Sequence, residues 1–188
     1  MGAQRTGMGR ANALKHELVM RVEARSSATP EAVYDVLADP RTHLIWAGER
    51  QGKKTRLTSV EAPDGPAVVG TEFTTTGADP MGTFGDTSVV TEASRPGVLE
   101  FVTEATLTTK KGVASNWTLV HRYEIAADGA GSRIAYTERV TRISDLPGML
   151  TIFNVRGLSG VLLRFSKRIT RKSVRNLARL AEERASAR

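Results

Sequence analysis

The stretch that most constrains the fold is residues 156–188, the last part of the chain. It runs for 33 residues without a proline, and its apolar side chains recur mostly at steps of three and four residues. Such spacing is the period of a helix that buries one face. The residues of this apolar stripe are Leu158, Leu162, Phe165, Ile169, Leu177 and Leu180. We therefore predict a long helix over about 156–185 whose stripe packs on an apolar surface.

The sequence divides this helix into two parts. In residues 157–169 the stripe is regular, so we expect this part to be gripped by the rest of the domain. From Thr170 onward, Lys172 and Ser173 interrupt the stripe and the density of basic residues rises. At ~1.5 Å per residue the whole helix would reach roughly 50 Å, which exceeds the width of a small domain. We therefore expect the second part to extend past the edge of the domain as a basic arm.

Most of the chain before this helix has the pattern of strands. Residues 16–25 alternate between apolar and mostly charged side chains, as a half-buried strand does. Six further β-rich segments are separated by short turns rich in Gly, Pro and Asp, which is typical of an antiparallel meander. They are 56–62, 70–76, 83–93, 98–108, 115–126 and 132–143. Between the first strand and the meander, Thr29 and Pro30 predict a short helix that ends near Pro40, and a second short helix is predicted at 41–46.

The length and composition are those of one domain. The chain has 188 residues, of which 40% are apolar and 25% are charged. We predict a single domain over 16–188, preceded at 1–15 by a disordered basic leader in which small residues show no apolar period. No apolar run approaches the roughly 20 residues that cross a bilayer. We therefore expect a soluble, cytoplasmic protein.

Cysteine and histidine usage excludes several kinds of site. The chain has no cysteine, which excludes disulfides, thiolate nucleophiles, cysteine-ligated zinc and iron–sulfur clusters. Its three histidines, His16, His43 and His121, do not show the spacing of a metal motif. We therefore predict no metal site and no cofactor.

The net charge of +7 is concentrated at the two ends of the chain. Residues 156–188 contain ten Arg and Lys against two Glu, and residues 1–15 contain three basic residues and no acid. The basic helix could attract an anionic membrane surface, and the alternative is a solvated face that keeps the protein soluble. Nucleic acid is a weaker candidate partner, because no aromatic side chains that could stack on bases are interleaved with these charges. The sequence does not predict an oligomeric state.

Four short motifs accompany the predicted strands and helices. They are ATPEAVYDVLADP at 28–40, GTEF at 70–73, VTE at 90–92 leading to PGVLEF at 96–101, and GSRIAYT at 131–137. These motifs resemble those of the START-like superfamily, also called SRPBCC, which includes polyketide cyclases and the birch pollen allergen. The resemblance implies an α+β helix-grip fold, in which a seven-stranded curved antiparallel sheet wraps a long C-terminal helix. It also implies two short helices between strands 1 and 2, and a cavity for an apolar ligand between the sheet and the long helix.

Strand alternation predicts which side chains face that cavity. The aromatic face of 115–126 is the better inward candidate, and the matching face of 132–143 carries Tyr136 and Glu138. We predict that the ligand contacts Trp46, Phe73, Phe84, Leu99, Phe101, Trp117, Leu119, Tyr123, Tyr136, Phe153, Leu158, Leu162 and Phe165.

Two polar residues on the predicted inner face, His121 and Glu138, are candidate catalytic residues. His121 could orient a ligand carbonyl, act as a base, or be a hydrogen-bonded core histidine. A buried Glu138 needs a partner, a raised pKa or a water-filled cavity, unless a β-bulge turns it toward solvent. If the two side chains meet across adjacent strands, they form an acid–base pair. Asp86, which follows Gly85, is interpreted as a turn or bulge residue.

Two classes of function are compatible with this pattern. The leading hypothesis is a module that binds, transports or presents a small hydrophobic ligand such as a lipid, an isoprenoid or an aromatic polyketide. The alternative, implied by the resemblance, is an enzyme of the polyketide cyclase or dehydratase type, whose polar cavity residues enolise and dehydrate a bound polyketone. No catalytic motif is matched residue by residue, so the sequence leaves both hypotheses open. Association with an anionic membrane through the basic helix is a second alternative.

Overall fold

The computed structural model describes residues 14–52, 56–144 and 158–187, with the side chains of 164 and 166–187 in the last range. The strands are β1 (Leu18–Ser26), β2 (Arg56–Glu61), β3 (Glu72–Ala78), β4 (Gly82–Ser94), β5 (Val98–Thr109), β6 (Ala114–Asp128) and β7 (Gly131–Ser144). The helical elements are α1 (Pro30–Leu37), a 3-10 turn (Pro40–Thr42), a π-helical segment (Leu44–Glu49) and α2 (Leu158–Ser186). Each strand begins and ends within two residues of its predicted bounds.

The seven strands form one antiparallel sheet in the order β1-β7-β6-β5-β4-β3-β2. Strands β2 to β7 pair with their neighbours in the chain, and β1 pairs with β7. Every second residue of β1 is buried, which defines an inner face of the sheet. This curved sheet, the C-terminal helix and the short helices between β1 and β2 confirm the predicted α+β helix-grip fold.

A β-bulge interrupts the alternation of β7 near the C-terminal end of the strand. Thr141 is an extra residue between the cross-strand pairs formed by Val140 and by Arg142. Because the bulge follows Val140, it does not disturb the alternation that precedes it. Tyr136 and Glu138 therefore keep the same inward phase, and the alternative in which a bulge turns Glu138 toward solvent does not apply.

Helix α1 begins where the sequence predicts. The hydroxyl of Thr29 accepts a hydrogen bond from the backbone N–H of Ala32 at 3.4 Å, and Pro30 occupies the first turn. The helix buries Val33, Tyr34, Val36 and Leu37. The 3-10 turn and the π-helical segment then carry the chain back over the sheet and place Trp46 in the interior.

Helix α2 packs through its second half. Its buried apolar side chains there are Val174, Leu177, Ala178 and Ala181, which have the spacing i, i+3, i+4 and i+7. Leu180 is buried beside them. In the first half, Arg164, Ser166, Arg168 and Ile169 are exposed. The prediction that the helix extends past the domain from Thr170 onward is therefore wrong.

Small side chains explain the difference. The predicted stripe contained only large apolar residues, whereas the packed stripe is completed by Ala178 and Ala181. Alanine lets the helix approach the sheet closely, and the hydroxyl of Ser26 on β1 donates to the backbone carbonyl of Ala178 at 3.3 Å. The gripped part of the helix is the part in which small residues permit this close approach.

Within the described part of the chain, no helix is both long and apolar enough to cross a membrane. Residues 1–13, which make up most of the predicted leader, lie outside the described residues. The same holds for Phe153.

Candidate functional site

A cavity of about 260 Å³ lies between the inner face of the sheet, the π-helical segment and α2. Its walls combine aromatic rings with polar side chains. The sheet contributes Arg56, Leu57, Phe73, Thr75, Phe84, Asp86, Ser88, Phe101, Thr103, His121, Tyr123, Tyr136 and Glu138. The helical side contributes His43, Trp46, Ala47, Gln51, Ile169, Thr170, Ser173 and Val174.

Aromatic rings form one continuous wall of this cavity. Phe101 stacks on His121, with ring centroids 4.8 Å apart. Tyr123 packs against Tyr136 at 4.6 Å, and the edge of Trp46 meets Tyr123 at 6.4 Å. Because each ring is held by a neighbour, the wall is preformed.

Three side chains of this wall form a hydrogen-bonded chain. His121 and Glu138 are direct cross-strand partners on β6 and β7, and Tyr136 lies two residues before Glu138 on the same face. The hydroxyl of Tyr136 is 2.6 Å from Nδ1 of His121 and 2.9 Å from Oε2 of Glu138. The two candidate catalytic residues are thus linked through a tyrosine hydroxyl.

The direction of these hydrogen bonds depends on the protonation of Glu138. A carboxylate only accepts, so Tyr136 then donates to Glu138 and accepts from Nδ1–H of His121. This arrangement leaves Nε2 of His121 as an acceptor. When Glu138 carries a proton it can donate to Tyr136, Tyr136 can donate to Nδ1, and Nε2 becomes a donor. The hydrogen-bonded chain therefore has two arrangements in which the imidazole is neutral, and the hydrogen bonds run in opposite directions in the two.

Burial moves each member of the chain toward its neutral form. Burial, together with a smaller effect of the charge of His43, lowers the pKa of His121 to about 3. Burial raises the pKa of Glu138, although the hydrogen bond from Tyr136 opposes the change. The pKa of Tyr136 is raised by burial and then by the charge of Glu138. An imidazolium at His121 is strongly disfavoured in this wall, whereas a proton on Glu138 is favoured.

His43 lies on the helical side of the cavity. Its Nε2 is 3.2 Å from the carbonyl oxygen of Leu37, and because a carbonyl only accepts, Nε2 carries the hydrogen and Nδ1 of the neutral ring is an acceptor. Burial lowers the pKa of His43 to about 4, against the effect of the hydrogen bond to Leu37. The ring centroid lies 4.7 Å from that of Trp46 and 5.6 Å from that of Phe73.

A second carboxyl group, that of Asp86, lines the cavity from β4. The hydroxyl of Thr75 donates to Oδ2 of Asp86 at 3.0 Å. The other oxygen, Oδ1, is buried and has no hydrogen-bond partner among the described residues. Burial raises the pKa of Asp86 to about 6, and the hydrogen bond from Thr75 opposes the change.

The interpretation of Asp86 as a turn or bulge residue is wrong. Asp86 pairs in unbroken register with Thr75 on β3 and with Ala105 on β5. The strand continues through Gly85 because the turn between β3 and β4 lies earlier, where the backbone N–H of Asp79 donates to the carbonyl oxygen of Gly82. Gly85 therefore belongs to the strand and does not end it.

Polar contacts tie α2 to the segment that closes the cavity. The amide of Asn176 donates to the carbonyl oxygen of Trp46 at 3.0 Å. The amide of Gln51 donates to the carbonyl oxygen of Ile169 at 2.9 Å, and Nζ of Lys172 donates to the carbonyl oxygen of Gln51 at 2.7 Å. These bonds hold the helix and the π-helical segment together on the side of the cavity opposite the sheet.

The structure brings eight of the predicted site residues to the cavity wall. They are His121, Glu138, Trp46, Phe73, Phe84, Phe101, Tyr123 and Tyr136. The side chains of Leu158, Leu162 and Phe165 lie outside the described residues, as does Phe153.

The remaining three predicted residues lie away from the cavity. Leu99 is buried in the main core. Trp117 and Leu119 share the inward phase of His121 but lie farther along β6, where they pack in a second apolar cluster with Leu18, Val140 and Ile143. Alternation predicts a face of a strand, and the position along the strand then decides which part of that face borders the cavity.

Sequence reasoning missed several polar residues of the wall. They are His43, Gln51, Thr75, Asp86, Ser88 and Ser173. A signal was present in β4, where Phe84, Asp86, Ser88 and Val90 occupy every second position, but Asp86 was interpreted as a turn or bulge residue. His43 carried no such signal, because only the packing of the π-helical segment places it against the sheet.

The basic residues of α2 form a surface beside the cavity. It is lined by Arg164, Lys167, Arg168, Arg171, Lys172 and Arg175. The membrane contact predicted for this surface stays a prediction. Among the residues that the structure describes, no group of three or more His, Asp or Glu side chains is placed to hold a metal ion.

Comparison with known proteins finds similarity in structure but not in sequence. No family model matches the chain, and no curated protein matches its sequence. An uncharacterized protein from Rhizobium leguminosarum superposes with a TM-score of 0.61 at 14% identity, over 92% of this chain and 97% of that one. At this identity the likeness shows the fold alone.

Two other solved structures agree. The KanY protein has a TM-score of 0.56 at 15% identity, over 89% of this chain and 99% of its own. DynU16, from the dynemicin biosynthetic locus, has a TM-score of 0.52 at 16% identity, over 87% of this chain and 47% of its own. The shared architecture is a helix-grip fold.

Proposed function

We propose that this protein binds a small, mainly apolar ligand in the cavity between the sheet and α2. The observation that carries the proposal is a preformed aromatic wall that includes incompletely paired polar groups, those of His43, His121 and Asp86. Apolar walls with a few placed polar groups are typical of small-molecule sites. A polar group costs free energy to bury without a full set of partners, and a ligand that supplies the partners would offset that cost.

The size of the cavity favours a compact ligand. Its volume of about 260 Å³ lies just below the roughly 300–1,000 Å³ that is usual for ligand pockets. One ring, two fused rings or a short isoprenoid chain fits this space better than a long acyl chain does. Of the ligand classes expected from the sequence, we favour a small aromatic or isoprenoid compound.

The fold and the motifs support a family assignment within this proposal. The helix-grip fold agrees with the resemblance of residues 28–40 and the three later motifs to the START-like superfamily. We propose that the chain is a member of that superfamily. In this interpretation the cavity corresponds to the ligand site that the resemblance implies between the sheet and the C-terminal helix.

The two tryptophans of the chain provide a direct test of ligand binding. Trp46 lines the cavity, whereas Trp117 packs in the second apolar cluster. We expect titration with geraniol or 2-decalone to change the fluorescence of Trp117→Phe, which retains Trp46. The matched variant Trp46→Phe retains Trp117 and should show little change. Equal changes in both variants would place binding elsewhere, and the absence of binding heat with the wild type would contradict the proposal.

A second candidate function, acid–base catalysis, is favoured by the His121–Tyr136–Glu138 chain. With Glu138 ionised, Nε2 of His121 can take a proton from an acidic C–H of a bound ketone. As Nε2 gains this proton, Nδ1–H passes to the oxygen of Tyr136, and the hydroxyl hydrogen of Tyr136 passes to Glu138. The products are an enolate, a neutral imidazole and a neutral carboxylic acid, so atoms and charge balance.

The relay solves an energetic problem that a lone histidine would face. Burial lowers the pKa of His121 to about 3, so a proton that stayed on the ring as an imidazolium would be costly. Burial also raises the pKa of Glu138, which makes that group the favoured final acceptor. Proton movement through Tyr136 therefore avoids a buried positive charge.

Exchange of deuterium into 2-tetralone, followed by NMR in D₂O, tests this second candidate. We expect the wild type to accelerate exchange at the carbons next to the carbonyl. Tyr136→Phe should reduce the acceleration by about 10²-fold, within the range typical of general acid–base catalysis. Tyr123→Phe is the matched control, because its hydroxyl has no described hydrogen bond to His121 or Glu138. Equal exchange rates in wild type and Tyr136→Phe would exclude the relay.

A further inference from the structure

Asp86 combines two features that a purely structural aspartate lacks. Its Oδ1 atom is buried without a hydrogen-bond partner among the described residues, although Oδ2 accepts from Thr75 at 3.0 Å. Its side chain is part of the cavity wall. A buried acceptor without a donor is unfavourable, so the free protein retains an unfavourable group at the surface of its own cavity.

No basic side chain compensates this carboxyl group. Among the described residues, no Lys or Arg nitrogen forms an ion pair with Asp86, although Arg56 lines the same cavity. The strand residues that face it in register are Thr75 and Ala105, and only Thr75 can donate from its side chain. No side chain within the described ranges therefore supplies the missing donor, and a bound ligand that carries a donor would supply it.

Nearby polar groups reinforce the need for a donor. On the helical side, His43 directs its N–H to Leu37 and retains Nδ1 as an acceptor. Next to Asp86 along β4, the hydroxyl of Ser88 is 2.8 Å from that of Thr103, and neither hydroxyl donates to Oδ1 of Asp86. Among the described residues, the cavity thus offers open acceptors at Asp86 and His43, in addition to Nε2 of His121 when Glu138 is ionised.

We propose that Asp86 anchors the ligand by accepting a hydrogen bond from an ammonium or hydroxyl group. This inference rests on the proposed binding function and specifies its chemistry, since it predicts an apolar ligand that carries a hydrogen-bond donor. An ammonium and a hydroxyl share the donor that Oδ1 lacks, and the aromatic rings of the wall accommodate the apolar remainder of either compound.

The anchor is separate from the His121–Tyr136–Glu138 chain. His121 and Glu138 lie in the cross-strand row that continues through Phe101 to Val90 on β4. Asp86 lies four residues before Val90, which corresponds to roughly 13 Å along the strand. One small polar group therefore does not contact both carboxyl groups, and substitution of Asp86 tests the anchor without removing the relay.

Three probes with the same naphthalene skeleton test the proposal: 1-naphthylmethylamine, 1-naphthalenemethanol and 1-methylnaphthalene. Affinities are measured by isothermal titration calorimetry at pH 7.5 with wild type, Asp86→Asn and Thr87→Val. Thr87 is the adjacent, exposed residue of β4, which makes it the matched control. We expect Asp86→Asn to weaken binding of the amine by about tenfold or more, as for the loss of a charge-assisted hydrogen bond. Binding of 1-methylnaphthalene should change less than about twofold, and Thr87→Val should resemble wild type throughout.

The outcomes separate the anchor from the binding function. Preference of the wild type for the amine supports an ammonium ligand, and preference for the alcohol alone supports a neutral hydroxyl. If the wild type binds 1-methylnaphthalene as tightly as the other two probes, the anchor is wrong and the binding function stands. If no probe binds to the wild type, the proposed cavity function fails for this ligand class and the anchor fails with it. The comparison among probes in wild type remains decisive even if Asp86→Asn does not fold.

Discussion

The carboxyl groups of Glu138 and Asp86 lie on the inner face of the same sheet, and burial raises the pKa of both. Their surroundings differ. Glu138 ends a hydrogen-bonded chain that begins at His121, so each change in its protonation can be accommodated by reversing the bonds through Tyr136. Asp86 has one donor, Thr75, and one buried oxygen without a partner. A raised pKa therefore accompanies a hydrogen-bonded chain in one case and, among the described residues, an unpartnered oxygen in the other.

The largest effect that separates the two groups is expected from Asp86→Asn. The amide oxygen of Asn can still accept from Thr75, and the substitution removes the cost of a buried negative charge. The difference between the ordinary pKa of 3.8 and the folded value of about 6 corresponds to up to about 3 kcal/mol. We expect Asp86→Asn to increase the free energy of unfolding at pH 7.5 by up to that amount, measured by urea denaturation.

The size of this effect depends on pH. The folded protein binds the proton of Asp86 more tightly than the unfolded chain does, so the stability contributed by this group falls as pH rises from about 4 through about 6. The difference between Asp86→Asn and wild type should therefore be near zero below pH 4 and reach its maximum above pH 6. A difference that stays constant over this range would mean that Asp86 has an ordinary pKa and a satisfied environment.

The second effect concerns the chain that ends at Glu138. Tyr136→Phe removes the hydroxyl that bonds to both His121 and Glu138, so at least one buried polar atom is left without a partner. We expect the free energy of unfolding to fall by about 1–3 kcal/mol. Tyr123→Phe is the matched control, since the two rings pack together at 4.6 Å but the Tyr123 hydroxyl has no hydrogen bond to a described residue. Equal losses in the two variants would show that the hydrogen bonds of the Tyr136 hydroxyl add no stability.

The smallest expected effect is a change in the tautomer of His121, which is detected by spectroscopy and changes the free energy of unfolding little. Because burial lowers the pKa of His121 to about 3, its ring should stay neutral from pH 8 to pH 5. When acidification protonates Glu138, the hydrogen of His121 should move from Nδ1 to Nε2, whereas His43 should keep its hydrogen on Nε2. Long-range ¹H–¹⁵N NMR spectra distinguish these tautomers. An imidazolium signal from His121 at pH 6 would contradict the relay, and Asp86→Asn should leave the tautomer shift unchanged.

Much of the fold could be predicted because its signals are local. Residues 16–25 alternate with a period of two, and Thr29 with Pro30 provides a helix start that needs no tertiary partner. The same alternation placed His121, Tyr136 and Glu138 on one face. The long helix was harder, because Ala178 and Ala181 form part of its stripe and small residues carry a weak hydrophobic signal.

The candidate site could be predicted only where alternation was undisturbed. Trp117 shares the phase of His121, but its distance along β6 removes it from the cavity wall, and no local pattern encodes that distance. Asp86 lies within the predicted strand 83–93, but its position after Gly85 favoured a turn or bulge over a place in the cavity wall. His43 was inaccessible to pattern reasoning, because it reaches the cavity through the way a short helical segment folds back on the sheet.

The sequence by itself determined the order of the elements, the seven strands and the inward phase of the strand residues, since turn chemistry and side-chain period act over a few residues. Only the tertiary structure decided which half of α2 is gripped, that Tyr136 links His121 to Glu138, and that one oxygen of Asp86 lacks a donor. These features depend on cross-strand register and on close approach between distant segments. Hydrogen bonds depend on distances of a few tenths of an ångström, and only the assembled sheet and helix set those distances.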